Sequence, residues 1–291
     1  MTLPVYKRAG LIGVGLMGAS VAMGLKKKGI VETWVGMDQN PQAIEDALKI
    51  GAIQEVTSDF QELACQVDWL LLAVPVRQVV ELSKQVIPLV DNPDYFIIDV
   101  GSTKCEIVSA VEALFLARGK PSRFIGCHPI AGKEKTGPLV ADTDLFQGKT
   151  VYVTPTAHSD ARLLETVESL WRVLGAQIKQ ITPESHDEIL AVSSHLPHMI
   201  AFSLMDAVER GYETHQINQS LGGGLRDMTR IVGSSAQMWA EIGVDNRDNI
   251  IKQIDSFRQS LDDLYRLLKT ADVGALAEFF ADKKKFRETL G

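Results

Sequence analysis

Leu11-Ile12-Gly13-Val14-Gly15-Leu16-Met17-Gly18 is the stretch on which the fold turns. Ala9 to Ile12 is small and apolar, as a buried strand requires, and Ala19 to Lys28 reads as a helix. The glycine spacing between them is G-x-G-x-x-G. Gly13 permits a tight turn, Gly15 lets a pyrophosphate approach the backbone, and Gly18 lets strand and helix lie close. The free N–H groups near Leu16 and Met17, at the helix start, favour an anion. Thr33 to Met37 suits a second strand, and Asp38 stands at its end. An acidic residue so placed meets the ribose hydroxyls of a dinucleotide and repels a 2′-phosphate, so the pattern predicts NAD rather than NADP.

Working outward, short apolar runs alternate with helical stretches as far as Ile181. Trp69 to Val74 is continuously apolar, as a strand buried on both faces would be, and Pro75 stops it. Tyr95 to Val100, Phe124 to Cys127, Lys149 to Thr154 and Ala176 to Ile181 read as further strands. Helices fall between several of them, among them Lys104 to Ala117, which Ser102 can cap. This alternation predicts a mostly parallel, doubly wound α/β sheet of Rossmann type. After Thr182-Pro183 only helices are expected, broken at Gly211, Gly222 to Gly224 and Gly243. The division is therefore placed as a dinucleotide-binding domain over 1–182 and an all-α domain over 183–291. In the latter, Ile250, Ile254, Phe257, Leu261, Leu264 and Leu268 form a heptad stripe that wants a facing helix. A helix of the same domain would satisfy it, and so would a second subunit; a homodimer through these helices is expected.

The chain has 291 residues and a formal net charge of −7, which argues against a broad nucleic-acid footprint and leaves any anionic substrate to local cations. Three unclustered cysteines predict neither a zinc site nor a disulfide framework and suit a reducing, cytoplasmic setting. No apolar run is long enough to span a membrane.

Ligands of doubly wound sheets sit outside the carboxyl ends of the strands. Val74-Pro75, Ser102 and the segment Gly126 to Gly132 lie at such ends, the first suited to the cofactor. His128, at a strand end beside a hydride carrier, is a candidate for proton transfer. Ser194, His195 and His198 share helix faces. They lack a third ligand at metal spacing, so hydrogen bonding into a cleft is expected there, with no metal. Arg226 and Arg230 follow the triple glycine at i, i+4, and a guanidinium fits a carboxylate bidentately; Asp227 or Asp206 could instead pair with Arg226. His158, His186 and His215 are expected at the surface.

Gly-Cys-His-Pro-Ile-Ala-Gly at 126–132, Ser-His-Leu-Pro-His at 194–198 and Gly-Gly-Gly-Leu-Arg-Asp-Met-Thr-Arg-Ile at 222–231 resemble the prephenate/arogenate dehydrogenase family over nearly the whole chain. The resemblance implies an NAD(P)-binding domain followed by a helical dimerisation domain. It also implies oxidative decarboxylation of prephenate, or of arogenate, on the route to tyrosine. By position it makes His128 the catalytic histidine and Ser102 its partner at the ring hydroxyl. It makes Arg230 the carboxylate clamp, Ser194 and His198 pocket residues, and Glu134 an acidic gate. No fused chorismate mutase segment or regulatory domain is expected, so any effect of tyrosine would act at or near the active site. A β-hydroxyacid dehydrogenase shares the glycine opening but needs a helical lysine not seen here. A non-catalytic NAD-sensing dimer is the other alternative.

Overall fold

The computed structural model of the chain describes residues 3–133 and 135–290. Eight strands form one sheet: β1 (Tyr6–Ile12), β2 (Val31–Met37), β3 (Glu55–Val56), β4 (Trp69–Leu72), β5 (Phe96–Asp99), β6 (Phe124–Pro129), β7 (Thr150–Thr154) and β8 (Gln177–Gln180). Their order is β3-β2-β1-β4-β5-β6-β7-β8. All neighbours are parallel except β6 and β7; among the described residues their connection holds only a 3-10 turn at Pro138–Val140 and no crossover α-helix, and β7 returns antiparallel. The helices α1 (Leu16–Lys27), α2 (Pro41–Lys49), α3 (Phe60–Gln66), α4 (Val76–Val86), α5 (Cys105–Leu116) and α6 (Ala161–Val173) flank the sheet.

The uninterrupted apolar run of β4 has a simple cause. Trp69 and Leu71 point into a core closed by α1 and α6, while Leu70 and Leu72 point into a second core closed by α3, α4 and α5. Both faces of the strand are dry, so alternation with polar residues is lost. Trp69 stacks on Phe96 at 5.3 Å and meets Trp34 edge-on at 5.2 Å. The β1–α1 turn is equally constrained. Gly13 has φ of +91°, and a Cβ there would stand 2.3 Å from the Ala73 carbonyl oxygen. A Cβ on Gly18 would stand 2.3 Å from the Gly13 carbonyl oxygen.

Beyond β8 the described chain is helical. α7 (Pro183–Leu190) widens into a π turn over Ala191–His195 and continues as α8 (Leu196–Gly211). In the widened turn the Leu196 N–H donates to the Ala191 carbonyl. Pro197 has no N–H to offer the preceding turn, so the regular ladder cannot run through it. There follow α9 (Thr214–Ser220), α10 (Gly223–Thr229), a 3-10 turn at Arg230–Gly233, α11 (Ala236–Asp245), α12 (Arg247–Thr270) and α13 (Val273–Glu288). The expected break at Gly243 is absent, because that glycine lies inside α11. The heptad stripe from Ile250 to Leu268 lies on α12. It is covered only at the start. Ile250 is buried, whereas Leu261 and Leu268 are 48% and 54% exposed.

Candidate functional site

The carboxyl edge of the sheet gathers three loops. Leu72 pairs with Ile12 on one side and Asp99 on the other, and β6 continues the row through Ile98 and Ile125. The glycine turn, Val74-Pro75, Ser102 and His128 therefore share one edge. Asp38, at the end of β2, folds over the turn: its Oδ2 accepts from the Val14 N–H at 2.9 Å and its Oδ1 from the Asn40 N–H at 2.9 Å. A Cβ on Gly15 would meet nothing within 4 Å, and no side chain caps the N–H groups of α1. Open space above a glycine, with uncapped amides at Leu16 and Met17 and a carboxylate alongside, fits the pyrophosphate and ribose of a dinucleotide.

Below His128 lies a buried ion pair. Lys104 Nζ stands 2.5 Å from Asp99 Oδ2, with both side chains wholly enclosed. Asp99 also accepts from the Gly101 and Cys127 amides, which locks the end of β5 to β6. Ser102 does not cap α5, as it was expected to. The helix begins at Cys105 with no cap from its own loop, and its first amides donate instead to Asp187 of α7, Lys104 N–H at 2.8 Å and Cys105 N–H at 2.9 Å. A full carboxylate at a helix start outcompetes a hydroxyl for these donors.

His186, expected at the surface, is fully buried. The helix start that looked polar packs its His-Asp pair inward against α5 and β7. His128 Nδ1 stands 2.9 Å from His186 Nε2, and His186 Nδ1 stands 2.7 Å from Asp187 Oδ1. Burial lowers the pKa of His128 well below its ordinary value, and His186, Lys104 and His195 add to the effect. Burial also lowers that of His186, against the pull of Asp187. Both rings are thus uncharged at neutral pH. His158 and His215 are exposed, as expected.

The second cluster spans the π turn. His195 is buried, and Asn246 Nδ2 lies 3.0 Å from its Nδ1 and 2.7 Å from the Asp187 carbonyl oxygen. His198 donates from Nδ1 to the Ser194 carbonyl and stacks on Trp239 at 3.6 Å. Trp239, Asn246, His186 and Asp187 are residues the sequence reading did not place here. The adjacent His186-Asp187 at a helix start was the one available signal; Trp239 and Asn246 lie far along the chain, and nothing local marks them. Arg230 stands in the turn after α10, which packs against α8. Asp206, one suggested partner for Arg226, pairs with Arg210. Glu134 lies outside the described residues. Among the described residues no three His, Cys, Asp or Glu groups are arranged to hold a metal ion, and no helix is long and apolar enough to cross a membrane.

Comparison with known proteins places the chain in one family. The model of the prephenate dehydrogenase nucleotide-binding domain matches residues 21–180, and that of the prephenate dehydrogenase dimerization domain matches residues 182–282. The chain is 31% identical to a cyclohexadienyl dehydrogenase of Zymomonas mobilis, over 99% of this chain and 97% of that one. It is 29% identical to a prephenate dehydrogenase of Bacillus subtilis, over 96% and 75%. Among solved structures, prephenate dehydrogenase from A. aeolicus in complex with hydroxyphenyl propionate and NAD+ superposes with a TM-score of 0.91 at 33% identity, over 98% of each chain. An arogenate dehydrogenase from Synechocystis superposes at 0.81 with 27% identity, over 98% of this chain and 100% of that one.

Proposed function

Because the chain belongs to the prephenate dehydrogenase family, we propose that it converts prephenate to 4-hydroxyphenylpyruvate by NAD-dependent oxidative decarboxylation. In this reading it works as a homodimer, with residues 1–182 binding the dinucleotide and residues 183–291 forming the helical domain. The observation that carries it is His128: half-buried, held uncharged, and placed on the sheet edge that also carries the open glycine turn. Prephenate bears a hydroxyl and, on the opposite ring carbon, a carboxylate. Neutral His128 takes the hydroxyl proton, and Ser102 orients that hydroxyl. Arg230 holds a substrate carboxylate and fixes the ring's orientation. Gly13, Gly15, Gly18 and the amides of Leu16 and Met17 hold the cofactor phosphates, Asp38 the ribose, and Val74-Pro75 the wall beside it. Bound NAD supplies the hydride acceptor. Loss of CO₂ leaves an aromatic ring, which drives the conversion forward.

The test is NADH formation by the purified chain with prephenate and with arogenate, each with NAD and with NADP. Turnover of prephenate with NAD is expected, together with a kcat loss of roughly 10²–10⁴-fold in His128→Asn, which keeps a polar group but accepts no proton. Turnover of arogenate alone would correct the substrate. No turnover with any pair would leave a non-catalytic cofactor sensor as the better reading.

A further inference from the structure

The hydrogen-bond chain behind His128 has only one self-consistent assignment of protons. Asp187 accepts three hydrogen bonds: Oδ1 from the Lys104 N–H and His186 Nδ1, Oδ2 from the Cys105 N–H. Two of these are backbone donors that cannot reverse. Burial pushes the Asp187 carboxyl up, yet the bonds from His186 and the Cys105 amide outweigh it and hold it below its ordinary value. The group is therefore an ionised acceptor, and His186 must carry its proton on Nδ1. A neutral His186 then presents a bare Nε2 to His128. His128 can meet it only with an Nδ1–H, which leaves the His128 Nε2 lone pair free.

We infer that His186 and Asp187 are positioning residues that fix the ring tautomer of His128, so that its Nε2 is the atom that takes the substrate's hydroxyl proton. The step is one proton leaving oxygen for Nε2. Nothing else is formed or broken, and the resulting imidazolium is stabilised through His186 by Asp187. The inference rests on the reading of His128 as the base. His195 is excluded from that role by the same bookkeeping. Asn246 Oδ1 accepts from Asn249 Nδ2, so its amide nitrogen donates both to the Asp187 carbonyl and to His195 Nδ1. The neutral His195 ring thus carries its proton on Nε2 and has no second lone pair to offer. Asp187 governs both rings, one through its side chain and one through its backbone.

The groups that face His128 are His186 from α7, Lys104 with its partner Asp99 from the β5–α5 loop, His195 from the π turn, and Tyr152 opposite it on β7. Tyr152 meets His186 edge-on at 5.5 Å. Asp187 is the one carboxylate hydrogen-bonded to this pair of rings in the described structure. Its conversion to a carboxamide removes the charge and leaves one oxygen for three donors. With the NH₂ group in the place of Oδ1, it faces both the Lys104 amide and His186 Nδ1, His186 becomes an Nε2–H donor, and His128 is left with its proton on the wrong nitrogen; with the oxygen there, the order is kept and only the Cys105 amide loses its acceptor. In a serine protease triad the same carboxylate-to-carboxamide change costs about 10⁴-fold in kcat through the wrong tautomer, with the geometry kept.

The experiment uses the intact chain and its Asp187→Asn, His186→Gln, His186→Leu and His128→Asn variants. It reads kcat, KM, the acid limb of the pH–rate profile, and long-range ¹⁵N–¹H correlations of the histidine rings. Asp187→Asn should lower kcat by about 10²–10³-fold with KM nearly unchanged. It should move the acid limb to lower pH, since a negative charge leaves; in the intact chain the His128 ring signals should be those of the Nδ1–H form. Glutamine can accept from the His128 Nδ1–H, so His186→Gln should retain kcat to within about tenfold, while His186→Leu should fall as far as Asp187→Asn. The Gln and Leu pair decides the matter even if loss of the α5 cap prevents Asp187→Asn from folding. Equal losses in Gln and Leu, or a His128 ring in the Nε2–H form in the intact chain, would overturn the inference. Full activity in His128→Asn would instead remove the base on which it rests, whatever the other variants do.

Discussion

All four residues of β4 are completely sealed, whereas α12, with 24 residues, seals only Ile250. The strand is covered by helices of its own half of the chain. The helix has one side against the π turn and α11, and then runs on with Leu261, Leu268 and Tyr265 in the open. α13 adds Phe280 and Phe286, at 53% and 62% exposure. The buried cluster of the helical half is Ala191, Trp239, Ile242 and Ile250, against the two broad cores of the sheet half. The difference teaches that the two halves draw stability from different sources. The sheet half closes on itself, while the helical half leaves apolar surface that the proposed second subunit would cover, at about 1.5–3 kcal/mol for each large side chain fully enclosed.

Trp69→Ala attacks the self-sufficient half and should have the largest effect. Removing an indole stacked on Phe96 and Trp34 should cost about 3–5 kcal/mol. Chemical denaturation should show this loss at every protein concentration. The paired change Leu261→Glu with Leu268→Glu attacks the other half. Both residues are half-exposed in one chain, so a monomer would tolerate the change. In the proposed dimer it would bury two carboxylates and weaken association by about a hundredfold or more. Sedimentation across protein concentrations reads this directly. A double variant that sediments and unfolds like the parent would break the comparison.

The same contrast explains what the sequence made legible. In the sheet half, local signals were sufficient: β4 is continuous because both its faces are dry, and Gly13 and Gly18 are fixed by backbone a Cβ would strike. The doubly wound sheet and the edge holding His128 and Ser102 could therefore be read directly. His186 could not. It looks like the polar start of a helix, and only the packing of α7 on α5 turns it inward to His128. Ser102 was given a capping role by local rules, but a carboxylate 85 residues later takes those amides. The π turn at 191–195 has Pro197 as its visible cause, yet the stacking of His198 on Trp239 depends on α11, which no local pattern brings there. Elements were legible from periodicity; contacts between the two halves were not.

Arg230 tests whether the sparsely packed half contributes to binding. It is exposed in the single chain, on the turn against α8. Arg230→Ala should raise KM for prephenate roughly tenfold or more, as loss of about 1.5–3 kcal/mol from a charged hydrogen bond implies, and leave NAD affinity nearly unchanged. An unchanged KM would transfer the role to Arg226.

The smallest expected effect concerns the seam itself. His195 is buried beside the His186-Asp187 pair that ties the helical half to the sheet half, and burial, reinforced by His186 and His198 against the pull of Asp187, lowers its pKa to about 4. In the unfolded chain it titrates near ~6.5. Between these values the unfolded state binds the extra proton. The stability that His195 contributes by staying neutral is therefore complete above about pH 6.5 and is lost as the pH falls toward 4. From about pH 7.5 to about pH 5.5 that loss amounts to ~1.3 kcal/mol. His128 and His186 are also lowered by burial and add losses of the same sign, so the parent protein should weaken steeply in mild acid. His195→Gln keeps an acceptor for Asn246 without a titrating ring. It should make the fall between those two pH values shallower by about 1.3 kcal/mol, read by urea unfolding at each. If the two proteins lose stability in parallel, His195 takes up its proton without unfolding. The seam would then open in mild acid as a local event, and the two halves would be coupled more weakly than the bonds from the Lys104 and Cys105 amides to Asp187 imply.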